Sequence, residues 1–212
     1  MNSLRNLYAA VFFKGLKAGL VGVALVLSTA NASAVVINFD ELATNTLVNN
    51  VYPGVTFGTN TGDGNVRVFS NCCSQSDPNS IAPSPGGAGT FNFNGDLIVQ
   101  FASAVNGLSF FSGGDNDVGT VALIDVFGLG GVLLGTQNLI ADGDGLGLTE
   151  ELQNLGGFAN VTMIHIRNVT DAAGLVYDTF TFSASVPEPG SLALVGLAFL
   201  ALGLGRRRRT TH

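Results

Sequence analysis

From Val35 to Phe182 the chain alternates short apolar runs with clusters of Gly, Asn, Asp and Ser. That punctuation constrains the fold more than any other feature, because it leaves room for short strands and almost none for helices. Strands are expected near Val35–Phe39, Val55–Phe57, Val66–Phe69, Thr90–Phe93, Leu97–Phe101, Leu108–Phe111, Thr120–Phe127, Val132–Leu139, Val161–Arg167 and Val176–Phe182. Several have period two: Ile164 and Ile166 oppose His165 and Arg167, and Phe180 and Phe182 oppose Thr179, Thr181 and Ser183. The best helical candidate is the short run Thr149–Leu155. Many short strands at this spacing imply an all-β domain, an antiparallel β-sandwich of jelly-roll type. The stretch Asn71–Gly89, with three prolines and small polar residues, reads as a long surface loop.

The two ends read differently, and divide the chain into residues 1–34, 35–185 and 186–212. Arg5, Lys14 and Lys17 precede an apolar run, Ala18–Leu27, and then small residues ending in Ala32-Ser33-Ala34. This is the order of a secretory signal helix, with Ala32 and Ala34 flanking an A-x-A site for signal peptidase and Val35 as the mature start. At the other end, Pro187-Glu188-Pro189 stops the strand pattern, since neither proline can donate a backbone hydrogen bond. Gly190–Gly205 carries no charge and would make a transmembrane helix about 24 Å long. Arg206, Arg207, Arg208 and Arg209 then form a block that resists translocation, leaving the domain outside the cytoplasm.

The segment VPEPGSLALVGLAFLALGLGRRRR resembles the PEP-CTERM sorting signal. The resemblance covers the last residues only. It implies recognition of Pro187, Glu188 and Pro189 by an exosortase, a membrane-embedded cysteine transpeptidase, with Arg206–Arg209 as the stop-transfer cluster. It also implies an inner-membrane-tethered precursor that is then delivered to the cell surface or extracellular matrix.

Charge is segregated in the same way. All fifteen acidic residues except Glu188 lie between the ends, where Arg67 and Arg167 are the only strong bases, so the domain is near −12. Such a field repels phosphate backbones and argues against nucleic-acid partners. It suits capture of divalent cations. The D-x-D pairs Asp115-Asn116-Asp117 and Asp142-Gly143-Asp144 sit on Gly-rich turns, but neither completes an EF-hand loop. A structural calcium is better expected at Asp40 or Glu41 with Asp178, because the first and last strands of jelly rolls of the carbohydrate-binding-module type commonly lie together and share one. Asp178 also shares a strand face with Val176, Phe180 and Phe182. Burial there demands a partner, whether a cation, one of the two arginines or backbone amides.

Cys72 and Cys73 are the only cysteines. Being adjacent, they cannot staple distant segments. They could close a strained vicinal disulfide, pair between molecules or remain thiols. His165, the domain's only histidine, is expected to face solvent. No nucleophile elbow, zinc-binding helix motif or phosphate loop is present, so the domain is expected to be non-enzymatic. The expected role is structural or adhesive within exopolysaccharide or biofilm matrix. A calcium-dependent carbohydrate-binding module is the alternative, and a secreted glycan hydrolase a distant one. The absence of Trp, with Tyr52 and Tyr177 the only tyrosines of the domain, weakens the carbohydrate case.

Overall fold

Ten strands account for nearly all the regular structure of this computed structural model, which describes residues 33–60, 62–70, 73–114, 116–142 and 151–184. They are β1 (Ala34–Ile37), β2 (Val55–Gly58), β3 (Val66–Phe69), β4 (Ser80–Pro83), β5 (Leu97–Gly113), β6 (Val118–Phe127), β7 (Leu133–Asp142), β8 (Glu151–Asn154), β9 (Val161–Arg167) and β10 (Val176–Ala184). All ladders are antiparallel, in the order β3-β4-β10-β5-β9-β6-β7, with β1 beside β10 and β2 and β8 beside β5. The fold is therefore all-β, built on a ten-stranded antiparallel sheet. Among the described residues no helix is long and apolar enough to cross a membrane. The expected signal helix and transmembrane helix lie outside the described residues.

The 17-residue strand β5 organises the rest. Its first half pairs with β2 and β9, its second half with β10 and β8. Sequence reasoning divides this strand in two, and the reason is visible in its burial. Leu97, Val99, Phe101 and Val105 point inward at odd positions, whereas Leu108, Phe110 and Ser112 do so at even ones. The phase changes at Gly107, where φ is +61° and the ladder to β10 is irregular between Ser109 and Asn106. A bulge with a left-handed glycine reverses the faces without ending the strand.

One continuous core draws on both of these sets of strands. Phe180 lies at its centre, with ring centroids 5.3 Å from Phe57, 5.2 Å from Phe110 and 6.2 Å from Phe39. Tyr177 joins the same core fully buried, and its hydroxyl has no hydrogen-bond partner among the described residues. Burial raises the proton affinity of that hydroxyl above the ordinary phenol value. Removing an unpaired buried polar group relieves its desolvation, so Tyr177→Phe is expected to raise stability by about 1 kcal/mol in urea unfolding.

A second, smaller cluster lies on the other face of β4 and β10. Cys73, Ala82 and Val176 are covered there by Phe69, Phe91 and Phe93. This explains two departures from the sequence expectations. The presumed loop Asn71–Gly89 contains β4, which is buried throughout because it runs between β3 and β10 with apolar side chains on both faces. Small residues such as Ser80 and Ala82 suit that position. Conversely, Thr90–Phe93 is not a strand: Phe91 and Phe93 stack, centroids 5.7 Å apart, while the backbone makes only single bonds such as Asn92 N–H to Pro83 O.

The helical expectation at Thr149–Leu155 also fails where it is described, since Glu151–Asn154 is strand β8. Its polarity is inverted. Leu152 is 53% exposed, whereas Gln153 is buried and donates from Nε2 to Ser112 Oγ and Ile140 O. Residues 32–185 cluster as one compact unit.

Candidate functional site

Pro187, Glu188, Pro189, Arg206, Arg207, Arg208 and Arg209 lie outside the described residues, as do Ala32 and Cys72. Ala34 is the first residue of β1 and pairs with Ser183. Cys73 is buried, has φ of +67° and is disulfide-bonded.

The acidic group around β1 and β10 is described in full. The turn after β1 carries Asp40 and Glu41, and β1 pairs with β10 from Ala34↔Ser183 to Ile37↔Phe180. Asp178 is completely buried. Its burial follows from a bulge rather than from simple alternation. The ladder to β5 shifts register between Asp178 and Thr181, and Thr179 has φ of +46°. Tyr177 and Phe180 thereby share the main core, while Val176 belongs to the smaller cluster.

The partners of Asp178 are amides and a hydroxyl, not an arginine. Oδ2 accepts from Ser76 N at 2.9 Å and Ser76 Oγ at 3.0 Å, and Oδ1 from Thr179 N at 2.6 Å. The loop before β4 is thus fastened to the last strand. Asp40 accepts from Asn38 Nδ2 at 2.8 Å and from Asn79 N at 3.4 Å, and Glu41 Oε1 accepts from Tyr52 OH at 2.6 Å. Among the described residues no three His, Cys, Asp or Glu side chains are grouped as metal ligands would be.

Burial pushes the Asp178 carboxyl up to about 6, against the pull of the Ser76 and Thr179 donors, and the charge of Asp40 adds to the rise. A carboxyl whose folded-state pKa exceeds its unfolded value near 3.8 stabilises the fold fully below that value. The contribution is lost as pH rises through about 6. Wild type is therefore expected to lose stability, relative to Asp178→Asn, between pH 4 and pH 6. Urea midpoints of both proteins, measured with chelator present, check this.

Tyr52 links this group to a groove. Its ring meets Phe39 and Phe57 edge-on, and burial together with Glu41 raises its hydroxyl above the usual phenol range. The same residue lines a groove of about 440 Å³ with Asn50, Gly54, Thr56, Gln100 and Ala102. The groove lies where edge strand β2 meets β5, Thr56 opposite Gln100, and no charged side chain lines it. Neutral amides and a hydroxyl beside the Tyr52 ring can hydrogen-bond and stack on a neutral polyhydroxylated molecule.

Two polar arrangements were not anticipated from sequence. On the outer face of β6 and β9, Arg167 grips Asp125 with Nε–Oδ2 at 2.6 Å and Nη2–Oδ1 at 3.2 Å, and Thr136 Oγ1 donates to the same carboxylate. The arginine holds the Asp125 carboxyl below the usual range. His165, expected in solvent, is half-buried, with Nε2 2.9 Å from Asp96 Oδ2. The other arrangement centres on Asp171, which is fully buried. Its Oδ1 accepts from Ala173 N and Gly174 N, and its Oδ2 from Asn116 N and Asp117 N. Asp117 in turn accepts from Ala172 N. In the first D-x-D pair, Asp117 therefore serves to cross-link two loops, while Asp115 lies outside the described residues. In the second, Asp142 is described and Asp144 is not. The sequence signal for Asp171 was the run Asp171-Ala-Ala-Gly174, a turn with Asp at its first and Gly at its fourth position.

Residues 185–209 match the family model of the PEP-CTERM protein-sorting motif. None of the curated proteins matches the chain. Among solved structures, the chain is similar to the K2 cleaved adhesin domain of Lys-gingipain, at 9% identity and TM-score 0.50, over 71% of this chain and 99% of that one. Weaker likenesses, each at TM-score 0.32, are to a family two carbohydrate esterase from Cellvibrio japonicus and to a GH26-CBM35 beta-(1,4)-mannanase from Podospora anserina. The identities are 11% over 75% of this chain and 36% of the esterase, and 14% over 75% and 29% of the mannanase. At such identities the likeness to the adhesin domain shows the fold alone.

Proposed function

We propose, from the PEP-CTERM protein-sorting motif at residues 185–209, that this chain is an exported surface protein whose β-domain plays a structural or adhesive part in an extracellular polysaccharide matrix. The motif implies an exported, membrane-anchored precursor processed by an exosortase-like membrane enzyme. In this reading signal peptidase cuts after Ala34, and the transpeptidase recognises Pro187-Glu188-Pro189 while Gly190–Gly205 spans the inner membrane. The domain itself is a jelly-roll-like sandwich without catalytic chemistry. The adhesin domain with which it shares a fold is a precedent for the adhesive half of the proposal. The test is intact-mass spectrometry of the mature protein from its native host. A C-terminus near Pro187–Pro189 is expected. A tail retaining Arg206–His212 would overturn processing and leave a plain membrane anchor.

A second reading is calcium-dependent carbohydrate binding. The observation that favours it is that Tyr52 belongs both to the uncharged groove and to the acidic group of Asp40, Glu41 and Asp178. To hold the cation those three carboxylates would have to give up some of their present donors and draw together, since they are not grouped as ligands in this structure, and the cation would then stiffen the groove's edge. Co-sedimentation with matrix polysaccharide that disappears on adding chelator would support this reading. Binding unaffected by chelator would remove calcium from it.

A further inference from the structure

The strands β6 and β7 are joined by a tip with an unusual surface. Leu129 is 71% exposed, Val132 62%, Leu133 53% and Leu134 42%. From Gly128 to Gly135 there is no charged residue. Single exposed apolar residues are ordinary, but four within six positions of one uncharged hairpin tip are not, whichever face each takes, and such apolar concentrations mark contact surfaces. The glycines at 130 and 131, with φ of +70° and +75°, turn the chain so that these side chains project. Thr162 Oγ1 holds the base of the tip by donating to Gly128 O at 2.7 Å.

The position of the tip tells what it meets. β10 ends at Ala184, which pairs with Val105 of β5, and Val105 pairs with Val161 of β9, next to Thr162. The tip and the chain's exit from the domain therefore lie on one rim, separated by β5 and β9. Three inter-strand spacings make that about 15 Å. Beyond Ala184 only Ser185–Pro189 precede the uncharged stretch Gly190–Gly205. Five residues reach at most about 17 Å. If that stretch is in the bilayer, the exit at Ala184 is kept within the same distance of the lipid surface, and a modest tilt of the domain about that point brings the tip to it.

We infer that the Leu129–Leu134 tip dips into the lipid interface while the precursor is anchored, seating the domain on the membrane by this rim. The inference rests on the anchored-precursor reading above. A second copy is a poorer occupant, because the short tether brings lipid to this rim without any need for association, and the acidic domain repels its own copies. Burying the patch to the depth of the acyl boundary fixes the domain's orientation and holds the Pro187–Pro189 segment near the interface in which a membrane enzyme must reach it.

The chain has no tryptophan, so an introduced one reports alone. The full chain is reconstituted into phosphatidylcholine vesicles with ordinary or dibrominated acyl chains, bearing either Leu133→Trp or Val118→Trp. Val118 is 81% exposed at the opposite end of the β6–β7 hairpin. Leu133→Trp is expected to emit at shorter wavelength and to lose about half its intensity to brominated lipid, as an interfacially buried side chain would. Val118→Trp is expected to keep its intensity. Equal, unquenched emission from both in chains that float with the vesicles would overturn the inference alone. Chains that do not float would overturn it together with the anchored-precursor reading.

Discussion

Phe180→Ala is expected to lower stability by about 4 kcal/mol, the cost of removing a large aromatic side chain from a well-packed core. Phe180 is fully buried and meets three other rings, stacked on Phe110 and edge-on to Phe57 and Phe39. It therefore joins β10 to β2, to the second half of β5 and to the turn after β1. The site has little freedom to collapse, because β10 pairs with β1 at Phe180 itself and with β5 just before and just after it. For a domain of this size the loss corresponds to a fall in melting temperature of about 12 °C. Calorimetry checks it, and a fall of only a few degrees would mean that the four rings are not the centre of the core.

Asp171→Ala is expected to cost about 3 kcal/mol, or about 9 °C, by a different route. No cavity is at issue. Four backbone N–H groups, of Asn116, Asp117, Ala173 and Gly174, would lose a charged acceptor at once. Gly174 N–H would keep only the Asp171 carbonyl, at 3.2 Å, while the other three would keep nothing of the side chain. Asp171→Asn is expected to recover little. Its amide nitrogen would face two of the donors that the second carboxylate oxygen now accepts. Recovery to the wild-type midpoint in Asp171→Asn would show that one oxygen suffices.

The strands that alternation revealed are those with one buried face. In β9, Ile164 and Ile166 are buried while His165 and Arg167 stand on the outer side, and period two states this directly. Alternation is silent where both faces are covered, as in β4, and misleading where a polar side chain is buried by its own hydrogen bonds, as with Gln153 in β8. It also fails at bulges. Burial of Asp178 was legible, but Thr179 changes the phase of the strand, and two of the three donors come from Ser76, far away in sequence. Nothing local in the chain announces such a pairing. Tyr52 was legible as a candidate sugar contact only by its residue type. Its neighbours Thr56 and Gln100 meet across a ladder that sequence spacing does not specify.

The pairing of the last strand also has a mechanical consequence. β10 is flanked by β1 and β5 over its final residues, and in the proposed reading the tether follows directly after Ala184. If the domain is held elsewhere by a matrix, as proposed above, a pull enters along the axis of β10. The lateral bonds to both neighbours then resist together, in shear, and cannot be opened one after another from the end. Such an attachment yields only when the whole strand slides, so the domain remains folded under forces that would unzip a hairpin edge.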